Sequence, residues 1–323
     1  NGRKEGEKTV EETVLQVRQL KKYYPWKKNK VKAVDGVEFD IKKGEMVSIV
    51  GESGCGKSTL ARCIIRLEEA TGGQVIFDGE DITFLEHRKM RPVYEKMQMV
   101  FQNPYAAFNP RQSIGAALKE VGHFYKMKSD EIDKRIETLL SYVNISGELL
   151  TRYSRELSGG QLQRLAIARA LMVHPQLLIA DEAVSALDVS VQAQILNILM
   201  DIKEKENMSV LFISHDLAVV EHISDQVLVM YLGKIVESGS KKRIFEDPIH
   251  PYTRALLASR PREVPWENSK AILLKGDLPS ALDLPKGCRF GPRCPNYRAQ
   301  ICGKTSPQLT DLGNGHKVAC HFI

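Results

Sequence analysis

No apolar run in this 323-residue chain is longer than a strand; a stretch such as Val210-Leu211-Phe212-Ile213 falls far short of the ~18 residues a membrane-spanning helix needs. The N-terminus is polar and charged and lacks the hydrophobic centre of a secretion signal. The chain is therefore expected to be soluble and cytoplasmic. There is no internal repeat, low-complexity tract or heptad pattern, which excludes solenoids and long coiled coils. Charge of either sign is scarce in excess: 46 Lys and Arg against 40 Asp and Glu leave +6, too little for a nucleic-acid footprint. The densest basic patch is Lys21, Lys22, Lys27, Lys28, Lys30 and Lys32. It reads as a solvated strand end and loop, with contact to an anionic membrane face as the sharper alternative.

What is present is an alternation of strands and helices. Strand-like runs lie at Val14–Leu20, Ala33–Ile41, Met46–Val50, Met97–Phe101, Leu177–Ala180, Ser209–Ser214, Gln226–Tyr231 and Lys234–Glu237. Helical spacing joins Ile132, Ile136, Leu139, Leu140 and Val143, and a further helix is expected from Gln161 to about Met172. This order argues for an α/β core with parallel strands and functional loops at their C-terminal ends. The segment from about 103 to 160 has helical periodicity alone and reads as a helical insertion. Beyond residue 240 prolines, among them Pro248, Pro251, Pro261 and Pro265, break up long elements, and only Tyr252–Ser259 promises a helix. A boundary is placed near residue 245, with a first domain at 1–245 and a C-terminal extension at 246–323.

Gly51-Glu52-Ser53-Gly54-Cys55-Gly56-Lys57-Ser58-Thr59 follows the run Met46–Val50 directly, which gives the Walker A pattern the strand-then-helix context it requires. The glycines allow backbone N–H groups to curl round phosphates, and the helix beginning near Lys57 adds its dipole. Lys57 is expected to reach the outer phosphates and Ser58 to ligate Mg²⁺. Leu177–Ala180 ends in Asp181 and Glu182. Asp181 suits the metal, and Glu182, facing the other way, suits a general base or orienter of water. Gln102 and His215 each end a strand on the same edge. Gln102 could ligate Mg²⁺ or the attacking water, and His215 could bond the γ-phosphate or hold Glu182 in line.

Leu157-Ser158-Gly159-Gly160-Gln161 is a second glycine-rich entry to a helix, and so a second anion site. With a helical insertion between them, one chain cannot easily bring both loops onto one γ-phosphate. Two chains facing head to tail can, which places two ATP molecules in their joint interface, with Asp188 beside them.

In this order the motifs resemble those of the ABC ATPases over roughly residues 13 to 245. The resemblance implies a P-loop NTPase (RecA-like) core with an antiparallel β subdomain and a helical insertion, and an ATP-sandwich dimer. It also implies an aromatic residue stacked on adenine, for which Tyr24 is the candidate and Tyr23 its rival. Three further stretches, Phe101–Arg111, Ser185–Gln194 and His250–Leu257, resemble the bacterial dipeptide and oligopeptide importers, and the opening Leu20–Pro25 resembles the second ATPase of their pair. One departure is Ala183, where that family usually has proline. The implied partners are a second ABC ATPase, two transmembrane permease subunits and an external peptide-binding protein, with this chain peripheral on the cytoplasmic face of the membrane. Homodimer and heterodimer both complete the sandwich. A soluble ABC ATPase acting on nucleic acid or ribosomes is the alternative, and no nucleic acid is expected as partner.

Cys55 and Cys63 belong to the phosphate loop and its helix, whereas Cys288, Cys294, Cys302 and Cys320 crowd into the last 36 residues. Disulfides are disfavoured in a cytoplasmic protein. The short two-Cys knuckle of most zinc sites is missing. The reading is a four-iron four-sulfur cluster, structural rather than redox-active, with zinc or free thiols as alternatives and a redox sensor as a third function. Arg289, Arg293 and Arg298 are expected to offset the charge of four thiolates.

Overall fold

Strands that are apolar on both faces need a neighbour on each side for their backbone groups and a layer on each face for their side chains. The computed structural model, which describes residues 12–27, 29–259, 279 and 281–323, meets that need with two sheets. Lys28 of the basic patch and Pro261 and Pro265 of the tail lie outside the described residues. The first three strands are β1 (Thr13–Trp26), β2 (Asn29–Lys42) and β3 (Met46–Val50), followed by β4 (Gly72–Phe77), β5 (Glu80–Asp81) and β6 (Met97–Val100). Then come β7 (Leu177–Asp181), β8 (Ser209–Ile213), β9 (Gln226–Tyr231), β10 (Lys234–Ser240), β11 (Thr310–Asp311) and β12 (Lys317–Val318).

The central sheet runs β11-β12-β10-β9-β3-β8-β7-β6, and its five strands β9, β3, β8, β7 and β6 are mutually parallel. Every residue of β3, β7 and β8 is buried. Alternate residues serve opposite layers: Val47, Ile49, Leu211 and Ile213 face one core, Met46, Val50, Val210 and Phe212 the other. The antiparallel sheet β2-β1-β4-β5 covers the first face together with α1 (Lys57–Ile64) and α2 (Arg91–Lys96). Here β1 runs six residues past the expected strand, and β4 and β5 lie outside the expected strands: Gly72-Gly73 opens β4, and Gly73 has φ 86°.

The other face carries the helical insertion, α3 (Ile114–Phe124) and α4 (Ser129–Tyr142), packed on α5 (Gly159–Ala170). Arg135 of α4 is buried and donates to the Leu171 carbonyl and to Glu206, tying the insertion to the ends of α5 and α6 (Val189–Lys205). After α7 (Leu217–Ile223), α8 (Lys241–Glu246) and α9 (Pro251–Ala258) lead to the tail, where α10 (Ala299–Cys302) is the last helix. The tail adds β12 to β10 in register Glu237 with Val318, and so extends the central sheet. The parallel strands bring Gly51, Gln102, Asp181, Glu182 and His215 to one edge.

Candidate active site

The phosphate loop owes its shape to glycines that no other residue could replace. Gly56 has φ 109°, and a Cβ there would stand 2.1 Å from the Ala33 carbonyl oxygen. Gly54, also at positive φ, has open space where its Cβ would be, so its exposed backbone faces outward. Ser53 is exposed beside it, and Thr59 is half-buried in the first turn of α1. Cys55 is buried, and burial pushes its thiol up out of the reactive range. Lys57 is folded onto the loop, its Nζ donating to the carbonyls of Gly51 at 2.8 Å and Glu52 at 3.1 Å. Those carbonyls hold the ammonium at the mouth of the cradle.

Ser58 Oγ donates to Asp181 Oδ1 at 2.8 Å, so the two expected Mg²⁺ ligands meet. Burial raises the Asp181 carboxyl above its usual range, against the Ser58 hydrogen bond and the Arg62 charge. Glu182 follows with φ 48°, a left-handed backbone uncommon for a side chain of its size, and its N–H is held by the Ile213 carbonyl at 3.0 Å. Its carboxylate receives the Gln102 amide at 3.0 Å and stands 3.6 Å from His215 Nδ1. Gln102 also donates to Ser185, the first residue of the Ser185–Gln194 stretch, to which the sequence assigns no role beside Gln102. Ala183, the departure from proline, is buried.

The second glycine loop lies apart from these groups. Ser158 caps α5, its Oγ accepting from Gln161 N at 3.3 Å while Gln161 Oε1 accepts from Ser158 N at 3.0 Å. Ser158 and Gly159 are exposed, and a Cβ on Gly160 would meet Val191 Cγ1 at 2.6 Å. Asp188 caps α6 through Val191 N at 2.9 Å, next to Val189, which is 82% exposed. Two adjacent helix N-termini with a bare apolar residue form a surface suited to a facing chain.

Tyr24 lies on β1 with its hydroxyl donating to Glu68, and Lys22 Nζ stands 4.9 Å from its ring centre. Tyr23 donates instead to Asp35. Burial and these carboxylates push both phenols up to about 12.

The four tail cysteines line one pocket of about 120 Å³ with His250, Pro251, Phe290 and Phe322. Burial raises the Cys288 thiol, while peptide N–H groups of Phe290 and Gly291 bond toward its sulfur; Asn296 serves Cys294 likewise. Among the described residues no group of three or more His, Cys, Asp or Glu is placed to hold a metal ion. That supports neither the iron–sulfur reading nor the zinc alternative. The three arginines expected beside the thiolates have other partners. Arg289 donates to Asp35 and the Leu232 carbonyl, Arg293 to Glu52, and Arg298 lies over the Phe322 ring. Carboxylates distant in sequence take up the charges of Arg289 and Arg293, and sequence spacing carried no sign of it.

Comparison with known proteins finds two families along the chain: "ABC transporter" over residues 34–185 and "Oligopeptide/dipeptide transporter, C-terminal region" over residues 236–302. The chain is 48% identical to the oligopeptide transport ATP-binding protein AppF of Bacillus subtilis, covering 97% of this chain and 98% of the relative. It is 46% identical to the dipeptide transport ATP-binding protein DppF of Escherichia coli, covering 98% and 96%. Among solved structures it is similar to cbiO1 of Clostridium perfringens, part of the ABC transporter complex cbiONQ. That likeness has a TM-score of 0.66 at 28% identity, over 73% of this chain and 92% of that one. It is likewise similar to a dimeric post-hydrolysis state of the ATP-binding cassette MJ0796 bound to ADP and Pi. The TM-score there is 0.65 at 27% identity, over 70% and 98%.

Proposed function

This chain belongs to the ATP-binding proteins of the oligopeptide and dipeptide transport family, and we propose that it works as one half of an ATP-sandwich dimer on the cytoplasmic face of a membrane importer. It is an ABC ATPase, and its hydrolysis energises uptake of di- or oligopeptides. The relatives favour this over a soluble ATPase of nucleic acid or ribosomes. One observation carries the mechanism. Ser58, Asp181, Gln102, Glu182 and His215 converge on one edge, while Ser158 and Gly159 of the same chain are left exposed.

Backbone N–H groups of Gly51–Thr59 receive the phosphates and Lys57 releases its carbonyl partners to pair with them. Ser58, Asp181 and Gln102 offer the hard oxygen donors that Mg²⁺ takes, and the ion, when bound, neutralises phosphate charge. Glu182 orients the attacking water and takes its proton, held in line by Gln102 and His215. Ser158, Gly159, Gly160 and Gln161 of the facing chain, with Asp188, close over the γ-phosphate; Tyr24 stacks on adenine. The partners are a second ATPase of the same kind, two permease subunits that dock on the helical insertion, and an external peptide-binding protein. No helix among the described residues is long and apolar enough to cross a membrane, which leaves the spanning part to the permeases.

In the tail, the four cysteines on one apolar pocket, with peptide N–H groups aimed at Cys288 and Cys294, support a structural four-iron four-sulfur cluster. Cys288, Cys294, Cys302 and Cys320 would hold such a cluster by their thiolates, and it would supply folding energy to the tail. Iron and acid-labile sulfide of about four each per chain after anaerobic purification would support it; their absence overturns it. The transport reading is tested by Glu182→Gln in the full importer. ATP binding should persist, the dimer should be trapped, and uptake of labelled dipeptide should fall by about 100-fold or more. Uptake at the parental rate would remove Glu182 from this role.

A further inference from the structure

Glu52 is the one acidic residue inside the phosphate loop, and the tail grips it. Its peptide N–H donates to Tyr252 Oη at 2.9 Å, its carbonyl accepts from Lys57, and its carboxylate accepts from Arg293 Nη1 at 2.8 Å. Arg293 comes from the turn Gly291–Arg293 and is almost fully buried, whereas Glu52 keeps a quarter of its side chain exposed. The guanidinium also lies 6.0 Å from the centre of the Tyr231 ring. Tyr231, Tyr252 and Phe290 pack as a buried aromatic group with centroids 4.6 to 5.5 Å apart, so the arm that carries Arg293 rests on a rigid base.

An acid in this loop is an electrostatic liability. A carboxylate beside a triphosphate, in a partly desolvated site, repels it unless a cation takes up its charge. Lys57 cannot do both tasks, since the phosphates need it. We propose that Arg293 is a positioning residue of the nucleotide site. It keeps the Glu52 carboxylate turned onto the tail, so that the loop presents its N–H groups and not an anion to incoming phosphate. A second tie supports the same loop: Arg289 bonds the Leu232 carbonyl, and the next residue, Gly233, donates its N–H to the Cys55 carbonyl at 2.8 Å. The tail thereby belongs to the ATP site rather than to a separate module. The inference rests on the ATP-site reading above.

The test is equilibrium MgATP binding and steady-state ATPase by the full chain, with a thermal melt of each variant. Arg293→Ala should raise Kd and KM for ATP about tenfold while leaving kcat at saturating ATP within about twofold. Combining Arg293→Ala with Glu52→Gln should bring Kd and KM back to within about threefold of the parent, because removing the acid removes the need for the arginine. A purely structural role for Arg293 predicts the reverse, with the double variant as weak as Arg293→Ala. That result, or an unchanged Kd in Arg293→Ala, overturns the inference. Arg293→Gln carries the same expectation and is the variant to read if Arg293→Ala does not fold. A parent chain that binds no MgATP would overturn the ATP-site reading and this inference together; a binding parent with equal variants would overturn this inference alone.

Discussion

The phosphate loop and the cysteine tail touch each other, yet they are held in shape by opposite means. The loop is built from backbone: Gly51 and Gly56 sit at positive φ with no room for a Cβ, and its internal bonds join residues a few positions apart. The tail is built from side chains that reach across the sequence. Arg289 finds Asp35, 254 positions away, Arg293 finds Glu52 at 241, and the buried Glu237 receives His316 at 2.9 Å. A loop of the first kind can be read from a short string of residues. One of the second kind cannot, because each contact has its two halves in unrelated stretches.

The sharpest way to break the tail's half of this comparison is Phe290→Ala. Phe290 is 1% exposed and touches Tyr231, Tyr252 and His250, so truncation leaves a cavity among rigid rings that cannot collapse into it. The expected cost is about 3–5 kcal/mol in urea unfolding. Nucleotide affinity should fall as well, since Tyr252 and Arg293 lose their base. An unfolding midpoint equal to the parent's would show that the tail docks without its aromatic group.

Gly56→Ala strikes the loop instead. At φ 109° alanine is strained, and its methyl would lie 2.1 Å from the Ala33 carbonyl oxygen, an atom of a neighbouring strand that cannot yield. Affinity for MgATP should fall roughly 100-fold, or about 2.7 kcal/mol. Limited proteolysis of the tail should be unaltered. Loss of tail protection in this variant would mean that the two regions are less separable in origin than their contacts suggest.

This difference also explains what could be read beforehand. The elements that frame the candidate nucleotide site were legible, because strand, glycine turn and helix cap are local signals, and parallel pairing then brings four strand ends to one edge. Met46–Val50 and Gln226–Tyr231 form as expected to the residue, since short, largely apolar runs bounded by turns leave little freedom. The strand Gly72–Phe77 escaped notice because its two opening glycines argue against a strand, and only pairing with β1 overrides them. The tail's cysteines were visible, but not what its arginines do. Their carboxylate partners Asp35 and Glu52 sit in stretches that read as a strand and a phosphate loop. A burial pattern could not have found them, since Glu52 keeps a quarter of its side chain exposed and nothing near either acid marks a distant arginine as its partner.

The smallest of these effects is a pH response that belongs to the tail alone. His250 caps α9 by accepting the Tyr252 N–H on Nδ1 at 3.1 Å, so the ring must be neutral on that nitrogen. It is 2% exposed between Phe290 and the chain at Ala319, and burial holds its pKa down at about 3, only partly opposed by the Ala319 backbone. In the unfolded chain the ring titrates near 6.5. The folded pKa is thus the lower one, and protonation favours unfolding. The stability that His250 contributes is complete above about pH 6.5 and is lost steadily as pH falls toward 3, by roughly 2 kcal/mol at pH 5. His250→Asn retains an acceptor for the Tyr252 N–H and removes the proton site. It should lower stability at pH 7 through lost packing, yet show a flatter fall between pH 7 and 5 than the parent by about that amount. Parallel pH profiles for the two would mean that the ring is reached by water and protonated in place. The tail would then share the loop's openness to solvent instead of contrasting with it.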